Sequence, residues 1–447
     1  MPNSVFKAYD IRGVVPVELD ADLAARVGRA FAVWSGARQI VVARDMRPSG
    51  VELSAAFAEG LMSAGCDVVD IGLGSTDLLY FASGYLGLPG AMFTASHNPA
   101  RYNGIKLCRA GAAPVGQASG LAEIEALAKD PPPASAARGH LERRDLLGLY
   151  AQHVRSFVDV SAIKGLSVVA DTANGMGGLV APAVLDGLPI EVEYLYKELD
   201  GNFPNHPADP IQSENTADLR AAVLARGADV GLAFDGDADR VFLVDDRAQG
   251  LSGSLTTSIV ARAMLEREAG ATVLYNLICS KAVPEIIAEA GGVGVRTRVG
   301  HSFIKAVMAE TGAIFGGEHS GHYYFRDNYR ADSGLIASMI VLEKLSVSGQ
   351  PLSELRRPFE RYADSGEINT EVADVSKVLD RVAAHYGESC TLDWTDGLTV
   401  DCGGWWFNLR PSNTEPLLRL NVEAPNAVEC EERVAEVKGL FVLEGEA

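Results

Sequence analysis

Short apolar runs alternate with longer amphipathic stretches through the first two thirds of the chain. An apolar run bounded by turn residues predicts a buried strand, and apolar positions at helical spacing predict a helix with one face on the core. Strands that alternate with helices are typical of α/β units with largely parallel sheets. We therefore predict an α/β architecture for this part of the chain.

The pattern divides this part into three successive α/β units. The predicted strands lie at residues 39–43, 67–71, 91–94, 167–170, 190–196, 228–234, 241–245, 272–277, 294–297 and 313–315. The predicted helices lie at 51–64, 141–158, from about 178, and at 254–268, 281–290 and 335–345. A stretch rich in proline, alanine and serine at 131–137 predicts a loop before the second unit.

The pattern changes from about Arg361, where short strands replace the alternation. A helix at 375–386 precedes strands at 397–401, 405–410 and 417–422, and a helix at 427–440 closes the chain. This order predicts a small α+β unit with an antiparallel sheet. A chain of 447 residues is also too long for one hydrophobic core. The predicted domains are residues 1–145, 146–250, 251–361 and 362–447.

Composition and charge exclude several classes of partner. A hydrophobic content of 47% with 22% charged residues is ordinary for a globular protein. The net charge of −20 argues against nucleic acid or an anionic membrane as a partner, because both require clustered positive charge. The N-terminus lacks a signal-peptide core, and no apolar run approaches the roughly 18 residues of a membrane span. We expect a cytoplasmic protein.

The cysteines show no CxxC pair and no zinc-binding spacing. Several lie in apolar runs, so we expect small buried thiols in a reducing compartment. The six positions are Cys66, Cys108, Cys279, Cys390, Cys402 and Cys430.

A serine follows the predicted strand at 91–94 in the run Thr-Ala-Ser-His-Asn-Pro, residues 94–99, which we call the serine loop. Proline bars its predecessor from helical geometry, so Asn98-Pro99 predicts a turn. Ser96 is then presented at the carboxyl end of a strand, where open α/β sheets place their ligands. Such a serine is a candidate nucleophile or phosphoryl carrier. The alternative is a turn serine that bonds its own backbone.

Three carboxylates alternate in Asp-Gly-Asp-Ala-Asp-Arg, residues 235–240, between two apolar strands. We call this segment the metal loop, because alternating carboxylates can converge on one cation and all-oxygen ligands suit Mg²⁺. An EF-hand is excluded, since Arg240 stands where that loop requires glycine. The alternative is a solvated acidic turn, and Arg240 itself is placed to reach a bound phosphate.

Two further loops carry polar groups at predicted strand ends. The sugar loop, residues 317–322, offers a carboxylate, a hydroxyl and imidazoles in a glycine frame, which suits sugar hydroxyls and proton transfer. The phosphate loop, residues 410–416, combines an arginine with hydroxyls, an amide and backbone N–H groups. The alternatives are a glycine-rich connection and a plain hairpin loop.

Single polar residues elsewhere carry weak signals. Tyr9 and Arg12 lie in Tyr-Asp-Ile-Arg-Gly near the start of the chain, where a surface arginine is the commoner case. Taken one at a time, a solvated surface group is also the first expectation for Lys106, Lys281, Arg298 and His301.

Taken together, the four loops resemble the signatures of the α-D-phosphohexomutase family, most closely its bacterial phosphomannomutase/phosphoglucomutase branch. The serine, metal, sugar and phosphate loops occur in the family's order, one per predicted domain. The resemblance covers essentially the whole chain. It implies three related α/β domains with mixed sheets plus a C-terminal α+β domain, similar to the TATA-binding protein, around a central cleft.

The resemblance also implies roles for individual residues. It implies that Ser96 is a phosphoserine and that Asp235, Asp237 and Asp239 hold Mg²⁺ together with that phosphoserine. The other catalytic residues that it implies are His97, Lys106, His322 and Arg12. The substrate-binding residues that it implies are Tyr9, Arg240, Lys281, Arg298, His301, Glu318, Ser320, Arg410, Ser412, Asn413 and Thr414. It leaves open whether Lys106 or His322 transfers the proton.

The implied activity is interconversion of hexose 1-phosphate and hexose 6-phosphate, of mannose or glucose, through a phosphoserine and a 1,6-bisphosphate. Glucose or mannose 1,6-bisphosphate would serve as activator, and small sugar phosphates as partners of a monomer or homodimer. Phosphoglucosamine mutase is an alternative, against which His319 argues modestly. A metal-dependent phosphatase and a sugar-phosphate-binding homologue without turnover are the others.

Overall fold

A computed structural model describes residues 5–372, 374–411 and 417–441 of the chain, without the side chains of residues 301 and 302. Their strands form four sheets, one in each of four successive units. Within these described residues, no helix is long and apolar enough to cross a membrane.

The elements of the first two units are as follows. The first unit contains β1 (Ile11–Val14), α1 (Ala21–Ser35), β2 (Gln39–Arg44), α2 (Pro48–Ser63), β3 (Asp67–Leu73), α3 (Thr76–Leu86), β4 (Gly90–Phe93), β5 (Tyr102–Arg109), β6 (Ala113–Pro114), α4 (Leu121–Lys129) and β7 (Leu141–Arg143). The second contains α5 (Leu147–Arg155), β8 (Leu166–Asp171), α6 (Gly177–Leu185), β9 (Ile190–Leu195), α7 (Ala217–Arg226), β10 (Val230–Phe234), β11 (Val241–Asp245) and β12 (Gly250–Leu251).

The elements of the last two units follow in the same way. The third unit contains α8 (Gly253–Arg267), β13 (Thr272–Asn276), α9 (Ala282–Glu289), β14 (Val293–Thr297), α10 (His301–Thr311), β15 (Phe315–Gly317), β16 (Tyr323–Phe325), α11 (Gly334–Ser348) and α12 (Leu352–Leu355). The fourth contains β17 (Ala363–Asp364), β18 (Ile368–Glu371), α13 (Val375–Tyr386), β19 (Thr391–Asp393), β20 (Leu398–Asp401), β21 (Trp406–Pro411), β22 (Leu417–Ala424) and α14 (Ala427–Gly439).

The first three units repeat one strand order. The neighbours run β3-β2-β4-β5 in the first sheet, β9-β8-β10-β11 in the second and β14-β13-β15-β16 in the third. In each of these series the first three strands are parallel and the fourth is antiparallel. The expected relationship between the three α/β units, and their mixed sheets, are therefore confirmed.

This strand order decides where the chemistry lies. The serine loop follows β4, the metal loop joins β10 to β11, and the sugar loop joins β15 to β16. In the fourth unit, whose sheet is antiparallel throughout, the phosphate loop joins β21 to β22. Each loop therefore lies between two consecutive strands that pair in antiparallel fashion.

One apolar core binds the first three units together. It contains Leu79 from the first unit, Val180 from the second, and Val273 and Ile340 from the third, all of them fully buried. The fourth unit has a separate core of its own, built around Phe407. Polar contacts such as the ion pair of Arg296 with Asp393, at 2.9 Å, join the fourth unit to the third.

The predicted helix at 141–158 is wrong in its first part. Leu141–Arg143 forms strand β7, which pairs with β3 in parallel at the edge of the first sheet. The helix begins only at Leu147, whose N–H donates to the Asp145 carboxylate at 2.9 Å. An exposed edge strand buries no face, so it carries no alternation that would distinguish it from a helix.

The prediction of free thiols is wrong for two of the cysteines. Cys390 and Cys402 form a disulfide, with their Cα atoms 4.5 Å apart. In the antiparallel pair of β19 and β20, Thr391 lies opposite Asp401. Cys390 directly precedes Thr391 and Cys402 directly follows Asp401, so this register places the two cysteines side by side. The other four cysteines are buried thiols as predicted.

Candidate active site

The serine loop holds Ser96 in a strained and buried conformation. Its φ of 50° lies in the left-handed region, which non-glycine residues seldom adopt, and only 6% of the residue is exposed. The Ser96 N–H donates to the Thr94 hydroxyl at 2.9 Å, which stabilises this turn. The Ser96 hydroxyl donates to the Asp235 carboxylate at 3.0 Å and lies 3.3 Å from Nδ1 of His97. Strain held at a reactive side chain is typical of functional sites.

Gly236 permits the metal loop to approach the serine loop so closely. A Cβ atom at this position would lie 2.5 Å from the Ser96 carbonyl oxygen, which is too short for any other residue type. Arg240 also holds the Asp235 carboxylate, because its Nε donates at 2.8 Å to the same oxygen that accepts from Ser96. The two loops thus form one junction between the first and second units.

The three aspartates of the metal loop converge and are suitable for a metal ion. Carboxylate oxygens of Asp235, Asp237 and Asp239 lie within 4.8 Å of one another, and all three residues are buried. Oδ1 of Asp237 and Oδ1 of Asp239 are buried without a hydrogen-bond partner among the described residues. Buried carboxylate oxygens without a donor are costly unless a cation satisfies them, so this donor set fits Mg²⁺.

Lys106 lies beside the same aspartates. Its ammonium group donates to Asp237 at 2.8 Å and to Asp239 at 2.9 Å. Burial lowers the pKa of Lys106, but the two carboxylates outweigh this effect and hold its pKa well above its ordinary value. Burial raises the pKa of Asp237, but Lys106 and the hydroxyl of Thr76 lower it by more than burial raises it. The net pKa of Asp237 is therefore below its ordinary range. Lys106 is therefore held in its protonated, positively charged form in this arrangement.

His97 and Arg12 complete the surroundings of the serine loop. Nδ1 of His97 accepts a hydrogen bond from Arg240 at 2.7 Å. Burial and the Arg240 charge hold the pKa of His97 well below its ordinary value, so the imidazole is neutral. Arg12 donates to the side-chain oxygen of Asn98 at 2.7 Å and contacts Asp10. Arg12 thus contacts the serine loop, to which His97 itself belongs.

His322 reaches the site from the third unit. Its Nδ1 donates to Asp332 at 2.7 Å and lies 3.9 Å from Asp239. Burial lowers the pKa of His322, but the two carboxylates outweigh burial, and the net pKa is raised. The backbone of His322 also pairs with that of Arg240, so the sugar loop and the metal loop are joined directly.

Glu318 of the sugar loop is fixed by two neighbours. Its carboxylate accepts hydrogen bonds from the Asn276 amide at 3.1 Å and from the Tyr324 hydroxyl at 2.6 Å. Ser320 lies half-buried in the same loop. His319 turns to Ser254, with Nδ1 and the hydroxyl oxygen 3.1 Å apart. The sugar loop is therefore held mainly by side chains that sequence analysis did not single out.

Tyr9 and Arg298 meet at the start of helix α10. The rings of Tyr9 and Phe303 pack edge to face at 6.1 Å, and the Arg298 guanidinium lies 4.7 Å from the Phe303 ring centre. A Cβ atom at Gly300 would lie 2.9 Å from the Tyr9 hydroxyl, so glycine permits this close contact of the first and third units. His301 begins α10, and its side chain is outside the described set.

Lys281 and Arg410 lie apart from the serine–metal junction, each paired with a carboxylate. Lys281 donates to Asp401 at 2.7 Å and to the Gly403 carbonyl at 2.9 Å, both in the fourth unit. Arg410 lies 3.4 Å from Glu367. Ser412, Asn413 and Thr414 of the phosphate loop lie outside the described residues.

Several side chains at the site went unnoticed in the sequence. Thr76 donates to Asp237 across the first and second units, and Asp45 and Arg47 lie fully buried behind the serine loop. Asn276 and Asp45 each lie at or directly after the carboxyl end of a strand. A search for polar residues at every strand end, instead of at the four strongest loops, would have found them.

Comparison with known proteins identifies the family. The four successive family models of phosphoglucomutase/phosphomannomutase match the chain, the alpha/beta/alpha domains I, II and III at residues 3–132, 149–250 and 252–362 and the C-terminal domain at 367–440. A phosphomannomutase of Salmonella montevideo is 41% identical over 430 residues, which is 94% of each chain.

Two further relatives agree with this result. Phosphohexose mutases of Xanthomonas campestris pv. campestris are 41% identical over 446 residues, 99% of this chain and 100% of the relative. A crystal structure of a phosphoglucomutase/phosphomannomutase family protein from Burkholderia thailandensis superposes with a TM-score of 0.89 at 33% identity, covering 98% of this chain and 96% of that one. The chain belongs to the phosphoglucomutase/phosphomannomutase family of phosphohexomutases.

Proposed function

We propose that this phosphohexomutase interconverts the 1-phosphates and 6-phosphates of mannose, glucose or both, with Ser96 as the phosphoryl carrier. The observation that carries the proposal is the hydrogen bond of the Ser96 hydroxyl to Asp235 inside a buried junction. A turn serine without function would not require a left-handed backbone, three converging carboxylates and a largely buried lysine around it.

The reaction follows from the groups around Ser96. The phosphoryl group leaves Ser96 Oγ, which takes up a proton, and bonds to the free sugar hydroxyl, whose own proton passes to a protein group, and a hexose 1,6-bisphosphate results. After this intermediate reverses its orientation in the site, its other phosphoryl group is transferred to Ser96. The transition state spreads negative charge over the equatorial oxygens, so positioning and electrostatic stabilisation dominate catalysis. Arg12 and Arg240 supply positive charge at the serine loop, and Lys106 supplies it at the adjoining metal loop.

Asp235, Asp237 and Asp239 would hold Mg²⁺ together with a phosphate oxygen on Ser96. The ion, when bound, would polarise that phosphate and offset developing charge. The buried oxygens of Asp237 and Asp239 that have no donor among the described residues support this assignment.

Lys106 and His322 are the candidates for proton transfer. Lys106 is held protonated by two carboxylates, so it would give a proton to Ser96 Oγ as the phosphoryl group leaves. His322 is oriented by Asp332, so that its Nε2 remains for a substrate oxygen. His97 stays neutral and accepts from Arg240, which suits a residue that orients the guanidinium group rather than one that takes the proton.

The remaining polar residues would bind the sugar and its resting phosphate. Glu318 has a carboxylate fixed for sugar hydroxyls, with Ser320 beside it in the loop. The other assigned binding residues are Tyr9, Lys281, Arg298, His301, Arg410, Ser412, Asn413 and Thr414. A cradle on a separate unit would accept either phosphate in turn, which the exchange of the two phosphates requires.

A coupled assay with the 1-phosphates of mannose, glucose and glucosamine, activated by glucose 1,6-bisphosphate, tests this proposal. We expect conversion of mannose 1-phosphate or glucose 1-phosphate to be fastest. Conversion of glucosamine 1-phosphate alone would replace the substrate assignment with that of a phosphoglucosamine mutase. No conversion of any of the three would contradict the proposed turnover.

A further inference from the structure

Arg47 is a fully buried cation that the proposed chemistry does not use. It follows strand β2 and precedes helix α2, and none of its surface is exposed. A guanidinium group carries five N–H donors in a planar fork, and each must find an acceptor when the group is buried. The acceptors are Asp45 Oδ2 at 3.2 Å and the backbone oxygens of Ser96 at 2.9 Å, Asn98 at 2.6 Å, Pro99 at 2.9 Å and Tyr102 at 3.0 Å. The donors of Arg47 are thus fully used.

Four of these acceptors belong to one short stretch of backbone, from Ser96 to Tyr102. Carbonyl oxygens that converge in this way repel one another and lose their water, so the conformation requires a buried donor group at their centre. The same stretch contains the left-handed Ser96, with its φ of 50°. The Arg47 guanidinium behind the turn therefore stabilises a backbone conformation of residues 96–102 that would be unfavourable without it.

The second unit covers Arg47 from outside. The ring of Phe203 lies 5.2 Å from the guanidinium carbon. A Cβ atom at Gly201 would lie 2.6 Å from the Cα atom of Arg47, so glycine permits this close packing. Water is thereby excluded from the five hydrogen bonds, which makes each of them stronger and more directional than at a surface.

We propose that Arg47 is the positioning residue of the phosphoserine turn. It fixes the backbone from Ser96 to Tyr102, and so directs Ser96 Oγ at the metal loop and at the sugar hydroxyl. Arg47 touches the backbone of Ser96 but not the reacting atoms, so its effect is on the geometry of phosphoryl transfer and not on binding of the sugar. This inference rests on the proposed role of Ser96 as phosphoryl carrier.

Lysine at position 47 tests the inference. Arg47→Lys keeps the positive charge but has three donors on one nitrogen, which cannot reach acceptors spread along the fork. We expect kcat to fall about 100-fold, as displacement of a reacting group by about 1 Å can cause, while KM changes less than about threefold. Single-turnover transfer from phosphorylated Ser96 to hexose 6-phosphate should slow by the same factor.

Arg155→Lys is the matched control. Arg155 donates to the backbone oxygens of Val184 at 2.7 Å, of Asp186 at 2.7 Å and of Ala183 at 3.3 Å, away from the serine loop. The same substitution there should lower thermal stability but leave kcat and the single-turnover rate unchanged. A second variant, Arg47→Gln, keeps two donors without the charge and should also fold with reduced kcat.

Each outcome decides the matter. An unchanged kcat in folded Arg47→Lys would overturn the positioning role, as would a loss confined to KM. If neither variant at position 47 folds while Arg155→Lys does, Arg47 is required for folding and the positioning role is rejected. Ser96→Ala separates this inference from the proposed function. Activity in that variant would refute the phosphoserine, whereas an inactive Ser96→Ala beside a fully active Arg47→Lys would refute only the inference.

Discussion

Charged side chains are buried at the junction of the serine loop and the metal loop. The charged side chains around Lys281 and Arg410, which we call the outer cationic region, lie near the surface. Asp237 is fully buried, and its Oδ1 has no donor among the residues that the structure describes. Lys281 and Arg410 are partly exposed and already paired, with Asp401 and Glu367. The first region therefore contains buried carboxylate oxygens without a donor among the described residues, whereas in the second region each of these two cations is paired with a protein carboxylate.

This difference suits the junction to catalysis and the outer cationic region around Lys281 and Arg410 to binding of the substrate phosphate. Buried charges cannot rearrange cheaply, so the junction is preorganised for one transition state. Ion pairs near the surface contribute little stability, so a substrate phosphate can replace a carboxylate partner at low cost. The shared core of the first three units and the separate core of the fourth agree with this division. Substitutions at the junction should therefore lower kcat, and substitutions in the outer cationic region should change KM.

The largest effect is expected at Ser96. Ser96→Ala removes the phosphoryl acceptor and should lower kcat by about 10⁴-fold or more, with little change in thermal stability, because a hydroxyl alone is lost. The measurement is the coupled assay together with a thermal melt. Ser258→Ala, at another buried serine, which bonds the Ser254 carbonyl at 3.0 Å within α8, is the control and should stay active. Retention of most activity by Ser96→Ala would remove the carrier role.

The metal loop should show the next largest effect. Asp237→Asn keeps the shape but withdraws a charge, and a metal ion is worth several kcal/mol at the transition state, so we expect kcat to fall about 10³-fold. The Mg²⁺ dependence of activity should be lost or shift to much higher concentration. Asp245→Asn, at the far end of β11 beside Arg356, is the control. Normal turnover of Asp237→Asn with a chelator present would contradict the metal assignment.

Arg410→Ala tests the other side of the comparison. Loss of one charge-assisted hydrogen bond to phosphate should raise KM about 30-fold, equivalent to about 2 kcal/mol, with kcat much less affected. Steady-state kinetics with hexose 1-phosphate measure both constants. Arg433→Ala, in helix α14 of the same unit, should leave KM unchanged. An unchanged KM in Arg410→Ala would count against the cradle.

The smallest effect is expected from the carboxylate that holds Arg410. Glu367→Gln withdraws the competing charge, 3.4 Å from the guanidinium, and should lower KM about twofold to threefold, because exposed ion pairs are worth about 0.5 kcal/mol. Substrate affinity measured at low and moderate salt checks this prediction. A raised KM would mean that Glu367 orients Arg410 instead of competing with phosphate.

Much of the fold could be predicted because its strands are short apolar runs. The helix at 375–386 and the strand at 241–245 have the predicted bounds, since a helical or continuous apolar pattern marks both. Strand β7 was misassigned because its residues are all exposed. The disulfide could not be predicted because it depends on the register of β19 on β20.

The site could be predicted where one loop supplies the chemistry and not where distant residues meet. Three alternating aspartates predict the metal loop from the local sequence alone. Arg47 and Asp332 act through contacts that only the fold determines. Lys281 was expected in the cleft, and the structure pairs it with Asp401, a contact between units that no local pattern indicates. Domain bounds and the roles of the individual site residues stay predictions.

The phosphoserine is tested most directly by following the phosphoryl group itself. Dephosphorylated protein is incubated with glucose 1,6-bisphosphate labelled in its phosphates, and the label is located by peptide mapping before and after addition of hexose 6-phosphate. We expect one phosphoryl group per chain on Ser96, which is chased into the sugar at the rate of turnover. Turnover without label on Ser96, or label on another residue, would contradict it.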